Sequence, residues 1–178
     1  MNIKPNTDFG TLIAPRTLEI QRLLPGPIER IWDYLTKSDL RRQWLASGEM
    51  ELKLGAPFEL TWRNDDLAVT PGTRPEGMNA ENTQPMRITV CEPPHKLSFI
   101  FGGAGEVHFE LKAVGEKVLL TLIHRDAPNR GTLLAVSAGW HAHLDVLGAI
   151  TTSTHFEPFW DNWSELKKQY EQRIPADA

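Results

Sequence analysis

The run from Leu133 to Ser153, LLAVSAGWHAHLDVLGAITTS, constrains this chain more than any other stretch. Apolar residues at Leu133, Val136, Trp140, Leu144, Leu147 and Ile150 recur in steps of three and four. That spacing draws one apolar stripe along an α-helix, with Ser137, His141, Asp145 and, further round, His143 off the stripe. At 1.5 Å per residue such a helix is about 30 Å long, enough to cross a small domain. A lone amphipathic helix must bury its stripe against something. Nearly everything before it reads as short strands, so the partner is a sheet, and a functional pocket is expected between the two.

The strands are read from alternation. Leu18, Ile20 and Leu24 mark the first, with Arg22 interrupting its apolar row, and Pro25-Gly26-Pro27 ends it. Residues 1–15, broken by Pro5, Gly10 and Pro15, read as a flexible N-terminal arm. Ile28, Ile31, Trp32 and Leu35 form a short amphipathic helix, and Ser38 reads as the N-cap of a second holding Leu40 and Trp44. Met50, Leu52, Leu54 and then Phe58, Leu60, Trp62 flank Gly55-Ala56-Pro57 as a hairpin. Residues 64–85 are rich in Asn, Asp, Gly and Pro and read as a long mobile flap, with a functional lid as the second reading. Strands are expected at Met86–Glu92, Lys96–Phe101, Glu106–Ala113 and Lys117–Arg125, separated by turn residues. The total is seven antiparallel strands. In the tail, Phe159, Trp163, Leu166 and Tyr170 repeat at helical spacing.

Composition narrows the function classes. The chain has 178 residues, 40% hydrophobic and 24% charged, which suits one domain with a single core. A net charge of -4 without a basic face argues against nucleic acid. One cysteine, Cys91, leaves no intramolecular disulfide and suggests a reducing, cytoplasmic setting. No signal-peptide pattern opens the sequence, and no unbroken apolar run reaches the length of a membrane span.

Four stretches taken in order resemble a known family. They are Pro27-Ile28-Glu29-Arg30-Ile31-Trp32-Asp33-Tyr34-Leu35-Thr36 with Trp44 following, Cys91-Glu92-Pro93-Pro94-His95-Lys96-Leu97, Leu120-Thr121-Leu122-Ile123-His124, and Gly139-Trp140-His141-Ala142-His143-Leu144-Asp145. Together they resemble the START-like, or helix-grip (SRPBCC), superfamily, and within it the branch similar to the activator of heat-shock-protein-90 ATPase (AHSA-like). The resemblance implies an α+β fold: a seven-stranded curved antiparallel sheet wrapped around a long C-terminal helix, two short helices after the first strand, and a hydrophobic cavity between sheet and helix. The domain would span 16–154, with 155–178 a helical tail packed on it. The 64–85 stretch departs from the branch pattern, so no ligand preference carries over.

Candidate site residues follow from the inward faces. Trp62, Phe99, Phe101, Phe109 and Trp140, with Trp44, Leu122 and Leu144, either pack as core or line a pocket for a flat apolar ligand. His124 shares the face of Leu120 and Leu122, where it is a ligand contact, a general base, or a core histidine bonded to a carbonyl. No metal is expected: His141 and His143 point about 200° apart on a helix, and His141 with Asp145 supplies too few ligands. Ser137 lacks a nucleophile elbow, Cys91 an activating cation, and Glu51, Glu59, Glu92 and Glu110 alternate outward. No cofactor motif is present. The leading expectation is a cytoplasmic protein that binds an apolar or aromatic small molecule, with a stress-related role. The alternatives are a cyclase, dehydratase or hydrolase using His124, or a chaperone-type regulator of an ATPase. Phe159, Trp160 and Trp163 in the tail are expected either to cap the domain or to seal a homodimer.

Overall fold

The computed structural model describes residues 8–178. Its strands are β1 (Thr11–Ala14), β2 (Thr17–Pro25), β3 (Pro57–Trp62), β4 (Asn82–Glu92), β5 (Lys96–Phe101), β6 (Glu106–Val114) and β7 (Lys117–Arg125). The helices are α1 (Ile28–Thr36), α2 (Ser38–Arg41), α3 (Arg130–Thr152) and α4 (Phe159–Arg173). One curved antiparallel sheet of order β1-β2-β7-β6-β5-β4-β3 grips α3. The connection through α1 and α2 carries the chain from β2 to the opposite edge strand, β3.

Register turns the alternation into a continuous inner face. Leu18, His124, Val107, Phe99 and Ile88 lie in one cross-strand row, and Ile20, Leu122, Phe109 and Leu97 in the next. Successive side chains point to opposite faces, so each row is uniformly inward, and these residues are all buried. α3 starts where the side chain of Asn129 accepts a hydrogen bond from the Thr132 amide at 2.8 Å. Ser153, at left-handed φ, ends it.

Several expectations need correction. Residues 1–7 of the expected arm lie outside the described residues. Thr11–Ala14 is not loose: it pairs with β2 as an edge strand, because the short apolar run Leu12-Ile13 finds an unpaired strand edge beside it. Met50–Leu54 is not a strand. Leu52 and Leu54 are exposed, and only an isolated Ser47–Thr61 bridge joins the preceding loop to β3. Alternation there found no face to bury. β1 therefore supplies the seventh strand. Ser38 is the first residue of α2 rather than its cap, and its Oγ accepts from the Gly48 amide at 2.9 Å. Trp44 lies beyond α2, fully buried, its indole N–H donating to the Tyr34 carbonyl at 2.9 Å.

The largest difference concerns α3. Ser137, His141 and His143, expected on a polar face, are all buried. The sheet covers one side, and α4 covers the other through Phe159, Trp160, Trp163, Leu166 and Tyr170. Those tail aromatics are consumed inside the chain rather than displayed. By length and composition α3 could cross a membrane, but two-thirds of its most apolar window is enclosed by its own domain, and its apolarity is that of a central core helix.

Candidate functional site

β3 ends at Trp62, and the chain then makes a short 3-10 turn, Asn64–Leu67, whose Leu67 plugs into the core. The rest of the 64–85 stretch is not a free flap. Asp65 pairs with Arg74 and accepts the indole N–H of Trp160 at 2.6 Å. The Thr73 amide donates to Asp161 at 2.9 Å, and the Trp160 amide to the Pro71 carbonyl at 3.1 Å. Its last four residues, 82–85, already belong to β4. Pro85 is tolerated because it precedes Met86, where pairing with β5 begins. The insertion is thus laced to α4.

Beneath this roof a cleft of about 400 Å³ opens between the β3–β5 end of the sheet and the N-terminal half of α3. Trp62 of β3, Phe101 of β5 and Trp140 of α3 form one side. Their rings meet at 5.5 Å (Trp62–Phe101) and 5.8 Å (Phe101–Trp140) between centroids. Ala135, Val136 and Gly139 keep the α3 wall low, and Trp160 and Trp163 of α4, edge to face at 6.0 Å, close the far side. Asn64, Asn79, Asn82 and Gln84 bring amides to the insertion side. Among the described residues no Asp, Glu, Lys, Arg, Ser or Cys contributes to the lining.

Of the candidate residues read from sequence, Trp62, Phe101 and Trp140 therefore meet at this cleft. Phe99, Phe109, Leu122 and His124 form the buried layer behind it, with Phe109 edge-on to Trp140 at 5.7 Å. Trp44 and Leu144 are buried away from the lining. Sequence reasoning missed Asn64, the Gly77–Ala80 rim and the contribution of Trp160 and Trp163. The rim sits in an irregular insertion, where no periodicity assigns a direction. The tail tryptophans carried a signal in their density, but nothing local says which helix they face.

His124 is fully buried with both ring nitrogens engaged. The Trp140 indole N–H donates to its Nδ1 at 2.9 Å. Nε2 therefore carries the proton and donates to the Ala104 carbonyl at 2.6 Å. That carbonyl is placed by Gly105, at φ 109°, where a Cβ would lie 2.0 Å from the Arg125 carbonyl oxygen; only glycine fits. Burial holds the His124 pKa below the ordinary histidine value. This ring fixes Trp140 in place and has no free nitrogen with which to take a proton from a ligand.

The two histidines of α3 are each hydrogen-bonded through Nδ1. His143 touches the cleft; its Nδ1–H donates to the Trp44 carbonyl at 2.8 Å, and burial depresses its pKa to about 4, so it is a neutral ring with an unprotonated Nε2. His141 bonds the Tyr170 hydroxyl at 2.9 Å, with a pKa lowered to about 3 by burial and then by Arg22 and Arg173. Its Nε2 is 3.8 Å from Asp145. Among the described residues no three His, Cys, Asp or Glu side chains gather as a metal-binding group.

The element order, the gripped helix and a cleft beneath it define a START-like, helix-grip domain. The chain belongs to the family described as "Activator of Hsp90 ATPase homolog 1-like protein", whose profile matches residues 25–152. Among solved structures, a Bordetella parapertussis protein is 35% identical, with 97% of this chain and 94% of that chain covered and a TM-score of 0.79. CalU16 from Micromonospora echinospora shares the fold at 20% identity, covering 88% and 86% of the two chains (TM-score 0.62). A conserved Enterococcus faecalis protein of unknown function does so at 20% identity, covering 92% and 89% (TM-score 0.67). No curated protein matches the chain.

Proposed function

We propose that this protein binds a flat, largely apolar small molecule in the cleft between α3 and the β3–β5 end of the sheet. The observation that carries this reading is the convergence of Trp62, Phe101, Trp140, Trp160 and Trp163 from four separate elements around about 400 Å³ of space. A well-packed interior leaves few voids larger than a water molecule, whereas ligand clefts begin at roughly 300 Å³ and are lined by aromatic and apolar groups. Family membership supports a binding or regulatory domain in general terms. The reading assigns no catalytic role to His124, because that ring is closed off on both nitrogens.

Filling the cleft tests the proposal. Gly139 lies on the α3 wall, and a Cβ there would come no closer than 3.9 Å to Trp163. Gly139→Leu places a branched side chain in the open space, at a helical position where replacing glycine gains about 0.8 kcal/mol. The expected outcome is unchanged or higher stability in urea, with loss of quenching of tryptophan fluorescence by aromatic probes. Unaltered probe binding by the leucine variant would place the binding elsewhere.

A further inference from the structure

Residues 8–14 form an arm that is fitted closely to the body of the domain, while the turn that tethers it fits poorly. The Arg173 guanidinium stands over the Phe9 ring, 3.8 Å from its centroid, and His141 and Tyr170 meet the same ring edge to face at 4.9 and 5.2 Å. The Gly10 amide donates to the Tyr170 hydroxyl at 2.8 Å, and Arg22 donates to the Asp8 carbonyl at 3.0 Å. The arm runs so close to β2 that a Cβ on Gly10 would sit 2.6 Å from Ile20 Cγ1. β1 then pairs with β2 from Thr11↔Glu19 to Ala14↔Thr17, which leaves only Pro15 and Arg16 to turn the chain.

Two-residue hairpin loops favour turns with a positive φ at the first central residue, because the twist of those turns matches that of the strands. Pro15 cannot supply one, since its ring locks φ at about −65°. Arg16 takes the left-handed conformation instead, at φ 52°, a position that suits glycine or asparagine. Drawn out straight, both residues escape the conflict, because proline and arginine are each at ease in extended backbone. The anchor thus favours a docked arm and the tether an open one.

We propose that two copies of this chain exchange their arms, each docking residues 8–14 on β2, α3 and α4 of the other. The exchanged dimer meets both demands at once. The contacts of the docked arm are kept, because the residues that meet within one chain meet again across a two-fold axis. Carrying the Thr11↔Glu19 and Leu12↔Leu18 register through the opened hinge makes residues 11–25 one long strand and sets the two Pro15 residues opposite each other on the axis. Proline has no N–H, so the crossing point holds no amide in need of a partner. Exchange does not depend on the α3 cleft taking a ligand.

Sedimentation of the full chain over a range of concentrations tests this, with two changes at the exposed Arg16. Arg16→Gly relaxes the turn, and Arg16→Val puts there a β-branched residue that left-handed backbone disfavours. Each dimer opens two hinges. The glycine variant is therefore expected to dimerise about tenfold more weakly, and the valine variant more strongly by a similar factor. A cross-link then reads the exchange directly. In a Cys91→Ser background, Thr11→Cys and Glu19→Cys close a disulfide within one chain in a monomer and between chains in the exchanged dimer. The expected result is a covalent dimer on a denaturing, non-reducing gel of the dimer fraction. An unaltered chain that stays monomeric at every concentration overturns the inference. So does a dimer indifferent to the Arg16 variants, or one whose disulfides lie within single chains. Should the cysteine variant fold poorly, the opposed shifts of the two Arg16 variants still decide the matter.

Discussion

His124 shows how one buried side chain can organise its neighbours without reacting. It accepts a hydrogen bond from the Trp140 indole N–H and donates one to the Ala104 carbonyl, so it orients the ring that faces the cleft from α3. Trp140→Phe keeps much of the ring but strands the Nδ1 acceptor. The expected cost is about 2–3 kcal/mol of folding stability, combining an unmet buried group with lost volume. Chemical denaturation of the two proteins checks it. Acid should act through the same class of residue. His124, His141 and His143 have pKa values depressed in the fold, to about 3 and about 4 for the latter two, while the unfolded chain takes up protons near pH 6.5. Below that value the unfolded state binds more protons, so stability is full at pH 7 and falls as the pH drops toward 4. At pH 5, His141 and His143 each cost up to about 2 kcal/mol. The raised pKa of Asp145, caused by burial, acts in the opposite sense, because the native state then gains a proton more readily than the unfolded one. Urea midpoints at pH 7, 6 and 5 should fall in that order; a flat profile would contradict the neutral, buried assignment. Neither histidine role was legible from residue spacing. Helical geometry separates His141 from His143, but only the packing of α4 reveals that both are enclosed.

At the scale of elements, α4 is a structural wall. Its Phe159, Trp160, Trp163, Leu166 and Tyr170 are buried, and fully burying a large apolar side chain is worth about 1.5–3 kcal/mol. Five such groups rival the whole stability of a typical domain. A chain ending at Thr154 is therefore expected to lose cooperative unfolding, and to bind hydrophobic dyes at the surface of α3 that α4 now covers. A truncated chain that retains a sharp thermal transition would show that the helix is dispensable. The elements themselves were largely readable. β2 and β6 alternate because one face of each is buried, and the long helix announces itself by its stripe. The exceptions have a common cause. Met50–Leu54 alternates with no partner to pair, and Thr11–Ala14 pairs with too little alternation to be noticed. Strand formation depends on an available neighbour as much as on the segment's own residues.

For the molecule as a whole, three cleft residues, Trp62, Phe101 and Trp140, came from regular elements and were visible as inward positions. The polar side came from the 64–85 insertion, where neither period nor capping rule applies, and its placement is set by distant partners on α4. The fastening of that insertion to α4 through Asp65 has a mechanical consequence. On the binding reading proposed above, the insertion and α4 share the Asp65–Trp160 hydrogen bond, so admission of a guest would disturb both segments in one coupled opening. Weakening the shared latch with Asp65→Asn should speed both entry and exit of a probe together. Its equilibrium constant would then shift far less than either rate, a signature that stopped-flow traces distinguish from simple loss of a contact.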